Sequence, residues 1–149
     1  MNENLQGQMG MMTYQIRKLV SIYRDIVRHF GITENEFWIW YTLIAIDGEY
    51  SQQDICGIWA FSKQTVNSII SHMVKDDYAA LEAVPGTRNR KNIQLTDKGR
   101  KFGESIIVPV ADAEMRALER IPLKERMACI AVLAKYVKLL KEEIHGTES

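Results

Sequence analysis

Two helix-start signals stand eleven residues apart in this chain, at Ser51 and Ser62. Ser51 is followed three residues on by Asp54, an offset that lets a serine and an acid satisfy the free amides of a helix start. The segment that follows, Gln52-Gln53-Asp54-Ile55-Cys56-Gly57-Ile58-Trp59-Ala60, has room for only about two turns. Ser62 then opens a longer helix, with Val66, Ile69, Ile70 and Met73 at i, i+3, i+4 and i+7. A short helix, a turn at Ala60-Phe61 and a longer helix make a helix-turn-helix. Many families share that arrangement, so its surroundings have to narrow the choice.

The flanking sequence narrows the choice. Upstream, Ile16, Leu19, Val20, Tyr23, Val27 and Phe30 follow a helical period, and Gly31 suits a helix C-cap. Thr33 with Glu36 forms a capping box, and the apolar run Phe37–Ile46 continues as a second helix that ends near Asp47-Gly48. Downstream, residues 80–84 and 91–96 read as two strands. The six residues from Pro85 to Arg90 between them are too many for a two-residue turn and suit a protruding loop. A helix-turn-helix followed by such a hairpin is a winged helix.

The last third is helical again. Thr96 caps a helix carrying Phe102, Ile106, Val110 and Leu118 on one side, with Pro109 inside it and expected to kink it. Pro122 is placed at the first position of a final helix. There Ile130, Leu133, Val137, Leu140 and Ile144 alternate by three and four, the seam of a coiled-coil-like packing. The tail from His145 to Ser149 is expected to fray. The fold class is therefore mainly α with a small β-hairpin: a winged helix-turn-helix over residues 33–96, with helical dimerisation regions at 12–31 and 97–145.

Composition excludes several functions. At 149 residues, 46% hydrophobic and 26% charged, this is one ordinary globular domain and not a disordered chain. No apolar run approaches about 18 residues, so no membrane span is expected. The opening stretch lacks the order of a secretory signal, and a soluble cytoplasmic chain is expected. Cys56 and Cys129 lack any CxxC spacing, and His29, His72 and His145 are scattered, so no metal site or cofactor is expected. Both cysteines read as buried small hydrophobes. There is no Gly-rich phosphate loop and no nucleophile motif, and Glu34 and Glu36 read as helix-start acids rather than a catalytic pair, so the chain does not read as an enzyme. Trp38, Trp40, Tyr41 and Trp59 either pack the core or line a ligand pocket; packing is the expectation.

Charge points to a partner. The chain holds 19 basic and 19 acidic residues, yet Arg88, Arg90, Lys91, Lys98, Arg100 and Lys101 face only Asp97 between residues 87 and 101. That stretch is strongly cationic in a neutral protein, and polarised charge is a binding signal. On the helix after Ser62, Gln64, Asn67, Ser68 and Ser71 share the face opposite the apolar stripe, flanked by Lys63 and Lys75 and free of acids until Asp76. An α-helix fits the major groove of B-DNA, where amides bond adenine edges; hydroxyls bond phosphates or bases. The loop with Arg88 and Arg90 suits the adjacent minor groove, with Lys91, Lys98, Arg100 and Lys101 left for flanking phosphates.

These residues resemble the MarR family of winged-helix transcriptional regulators. The resemblance runs from about Tyr14 to Ile144, through Ser51-Gln52-Gln53-Asp54-Ile55-Cys56, Ser62-Lys63-Gln64-Thr65-Val66-Asn67 and the wing end Ile93-Gln94-Leu95-Thr96-Asp97-Lys98-Gly99. Its most specific motif is Leu-Thr-x-Lys-Gly. It implies a sequence-specific repressor acting as a homodimer on a palindromic DNA operator, released by a small-molecule effector. The first and last two helices would interleave between subunits. Ser62, Lys63, Gln64, Thr65, Asn67 and Ser68 fall where that family contacts DNA. A winged helix that binds protein, or a thiol-based redox sensor using Cys56 or Cys129, are the alternatives.

Three positions depart from the family pattern. Its wing carries an Asp-x-Arg ion pair, and the corresponding positions here are Thr87 and Asn89, so the expectation is an unbraced wing with Arg88 or Arg90 as the wing arginine. The glycine that ends the recognition helix is replaced near Asp77, and the first wing strand reads Ala80-Leu81-Glu82 where an Arg is usual, implying fewer phosphate contacts.

Overall fold

A computed structural model describes residues 3–146; Thr147 to Ser149, the end of the tail expected to fray, lie outside the described residues. The order is α1 (Glu3–Phe30), α2 (Glu34–Ala45), α3 (Gln52–Trp59), α4 (Lys63–Lys75), β1 (Ala79–Ala83), β2 (Lys91–Leu95), α5 (Asp97–Glu119) and α6 (Leu123–His145). The chain divides into two units, one up to Val108 and one from Pro109 onward. Helix α5 remains helical through Pro109, at that boundary.

Local chemistry sets the first unit. Gly31 ends α1 with φ +66°. Thr33 and Ser51 each form a full capping box, with Glu36 and Asp54 returning a bond to the cap backbone. Ala60 takes the left-handed conformation that turns the chain from α3 to α4 (φ +55°). Asp77 does the same after α4 (φ +61°), and Tyr78 N–H bonds Met73 O while Asp77 N–H bonds Val74 O. That is a Schellman ending with aspartate where glycine is usual. The core gathers Phe37, Ile39 and Trp40 of α2, Ile55 of α3, Val66, Ile70 and Met73 of α4, and Ile106 and Ile107 of α5. The tryptophans pack. Trp38 stacks on Trp59 at 4.8 Å, and the Trp59 indole N–H donates to the buried Thr42 Oγ1 at 2.7 Å.

The wing is an antiparallel pair with Ala79 opposite Leu95 and Ala83 opposite Lys91, one residue earlier than expected for β1. Its tip begins with Val84-Pro85-Gly86-Thr87, where Val84 O accepts from Thr87 N–H and Gly86 has φ +78°. Proline second and a positive-φ glycine third are what a type II turn requires. A third edge joins β2: Ser51 bridges Asn92, and Ile93 N–H donates to Tyr50 O at 2.8 Å.

The Leu-Thr-x-Lys-Gly motif is a clip between the wing, the end of α4 and the start of α5. Thr96 Oγ1 accepts from Gly99 N–H and donates to Asp77 O, while Lys98 Nζ donates to Asp76 O. Gly99 sits against the chain after α4, and a Cβ there would fall 1.8 Å from Tyr78 O. Only glycine clears that carbonyl.

The second unit comprises the end of α5 and helix α6, and no residue of α6 is buried. Pro122 is the N-cap of α6, one position before the one predicted; Pro122 O accepts from Arg126 N–H, so the helical bonds start there. Cys129 on this helix is exposed, against the expectation that it is buried, because α6 covers none of its own faces within the chain; Cys56 is half-buried.

Candidate nucleic-acid interface

Helix α4 has the two faces its sequence predicts. Val66, Ile70 and Met73 are buried, and Lys63, Gln64, Asn67, Ser68 and Ser71 are exposed. Ser62 caps the helix by accepting from Thr65 N–H, and its hydroxyl donates to Thr65 Oγ1 at 2.8 Å. Both hydroxyls are therefore engaged in starting the helix. That leaves Gln64, Asn67, Ser68 and Ser71 as the polar groups presented outward.

Asn67 and Lys63 line a cleft of about 340 Å³ with Gln52, Gln53 and Cys56 of α3. A second, similar cleft lies between α3 and the wing, lined by Ser51, Gln52, Gln53, Asn89, Arg90 and Lys91. Gln52 and Gln53 thus line both clefts, the one shared with α4 and the one shared with the wing. Sequence reasoning missed both, because in the chain they read only as the polar start of a short helix. Asn89 was missed likewise, as a small residue between two arginines.

The six cations of residues 87–101 separate into two groups. Lys98 bonds Asp76 O and lies 4.7 Å over the Tyr78 ring, and Arg100 lies 3.9 Å from Glu104. Lys98 is thus part of the clip. Arg88, Lys91 and Lys101 are exposed and, among the described residues, have no charged or hydrogen-bonding partner.

Arg90 corrects the expectation of an unbraced wing. Its Nη2 lies 2.6 Å from Asp54 Oδ2, and Nη1 lies 3.4 Å from Oδ1. Val84 N–H donates to Arg90 O, so Arg90 stands at the root of the wing's tip loop, next to the last strand pair. The wing has its Asp–Arg pair after all. The acid comes from α3, 36 residues earlier, where no local pattern shows it. The Asp54 carboxyl titrates below the usual carboxylate value, first because Ser51 N–H donates to it; burial is the next largest influence and opposes the shift, and the Ser51 hydroxyl and Arg90 add to the lowering.

Among the described residues no group of three or more His, Cys, Asp or Glu side chains stands close enough to hold a metal, and no helix is long and apolar enough to cross a membrane. The sequence matches no protein-family model and no curated protein. Solved structures match closely in shape. NMB1585, a MarR family regulator from Neisseria meningitidis, superposes with a TM-score of 0.79 at 17% identity, over 94% of this chain and 98% of that one. The chain has the fold of the MarR regulators. Staphylococcus aureus MepR in its DNA-binding conformation gives 0.72 at 19% identity, over 87% and 98%. Staphylococcus aureus MarR in complex with salicylate and kanamycin gives 0.66 at 17%, over 95% of each chain.

Proposed function

We propose that this chain is a MarR-family transcriptional regulator that binds a palindromic DNA operator as a homodimer, represses transcription and is released by a small-molecule effector. The observation that carries the reading is the acid-free outer face of α4 lying beside a wing with free cations. Gln64 and Asn67 are the base-reading groups, because their amides are exposed and uncommitted. Ser62 and Thr65 set the helix start. Lys63, Ser68 and Ser71 hold it on the phosphates, and Arg88 and Lys91 extend the contact along the duplex.

Dimerisation is supported by α6, where Ile130, Leu133, Val137, Leu140 and Ile144 are all at least 41% exposed. Leu19 and Ile22 of α1 are exposed as well. Apolar surface in that quantity calls for a second copy. The salicylate held by the Staphylococcus aureus neighbour supports a small aromatic effector for this chain. The test is selection of duplexes from a random pool, followed by binding over a salt series. A selected palindrome with a steep salt dependence supports the reading. Absence of any selected sequence overturns it.

A further inference from the structure

We propose that Asp54 is a positioning residue that fixes where the wing stands against the helix-turn-helix and thereby sets how strictly the protein separates its own site from other DNA. The discrimination half rests on the DNA-binding reading above; the positioning half does not.

One carboxylate collects three bonds at this junction. Asp54 Oδ2 accepts from Ser51 N–H at 2.8 Å, from the Ser51 hydroxyl at 2.9 Å and from Arg90 Nη2 at 2.6 Å. Ser51 in turn bridges Asn92 of β2. The start of α3, the third edge of the sheet and the root of the wing's tip loop therefore meet at one side chain. A two-stranded ribbon is marginal on its own. Beyond the bridge at Ser51, the segment from Val84 to Arg90 is held by its own turn, by the Val84 N–H to Arg90 O bond that closes it and by this ion pair.

The pair also withholds charge. A guanidinium matched to a carboxylate displaces few counterions from DNA, whereas a free one does. Arg90 in the intact protein serves as a brace, and Arg88 is left as the wing's guanidinium for DNA. Breaking the pair from the acid side loosens the wing and frees a cation at once. Binding to any duplex gains, and binding to the right one loses its fixed geometry.

The test uses the full chain with Asp54→Asn, Arg90→Ala and both together. Without DNA, hydrogen exchange at the Val84 and Thr87 amides should rise about tenfold in each single variant, and no further in the double, because the two residues act through one contact. Arg90→Ala leaves the α3 cap intact, so it keeps the test valid if Asp54→Asn frays that helix. With DNA, Asp54→Asn should steepen the salt slope on random duplex by up to roughly 2 per dimer and shrink the ratio of specific to random affinity, while Arg90→Ala shrinks the ratio without steepening the slope. Wing exchange unchanged in Arg90→Ala overturns the positioning role and leaves Asp54 a helix cap only. A wild-type chain that binds no duplex overturns the DNA reading and the discrimination half, while the exchange arm still decides the brace.

Discussion

Helices α4 and α6 carry the same kind of apolar stripe and meet opposite fates. In α4, Val66 and Ile70 are 0% exposed, covered by the rest of their own unit. In α6, Ile130 is 59% exposed and Val137 63%. The stripe tells that a face must be covered but not by what. The winged unit closes its own core. The seam of α6 stays exposed in the single chain, and the homodimer proposed above is what would cover it.

The contrast can be broken most forcefully at α6. Replacing Leu133 and Val137 together by Asp should yield a monomer in sedimentation and weaken operator binding by roughly 100-fold or more, since two linked half-site contacts become one. The winged unit should keep its melting and its wing exchange. If both collapse with the dimer, the two regions are not independent. Within the winged unit, Gly99→Ala forces a methyl onto the Tyr78 carbonyl and should cost about 2 kcal/mol or more, visible as a lower Tm without a change of oligomeric state.

Smaller effects sharpen the division inside the interface. Asn67→Ala should cost about 1–3 kcal/mol on the best site and relax choice at one base pair; equal losses on specific and random DNA would reassign Asn67 to the backbone. Arg88→Ala should reduce the salt slope by roughly 2 per dimer, with Arg90→Ala reducing it less because that charge is already paired. The smallest effect is with pH. Asp54 has its carboxyl lowered in the fold, so its stabilisation is present above the ordinary value of 3.8 and is lost as pH falls through the lower folded value. Wing exchange, corrected for intrinsic rates, should therefore stay constant from about pH 7 to about pH 5.

Most of the fold was legible because its signals are local. Thr33, Ser51 and Ser62 each begin a helix with a partner three residues on, at Glu36, Asp54 and Thr65, and Pro85-Gly86 announces its turn. Pairings over long separations were not legible. Asp54 carries the same local signature whether or not Arg90 reaches it, and nothing near Thr87 or Asn89 reports an acid in α3. Lys98 looked like another surface cation because its partners, the Asp76 carbonyl and the Tyr78 ring, come close only once α4 has turned at Asp77. Cys129 was misplaced because burial was expected from the general habit of free cysteines, and nothing next to it in the sequence shows that α6 buries none of its residues.

The stack of Trp38 on Trp59 has an optical consequence. The two indoles belong to different helices, α2 and α3, and stack with centroids 4.8 Å apart and planes inclined by 29°. Transition dipoles that close couple as excitons and give a paired circular-dichroism band whose sign depends on their mutual angle. The third tryptophan, Trp40, is buried against Phe102 and Tyr78 outside that stack. The protein therefore carries a native protractor between α2 and the helix-turn-helix. Any ligand or duplex that rotates α3 against α2 will write the rotation into the near-ultraviolet spectrum, with no label attached.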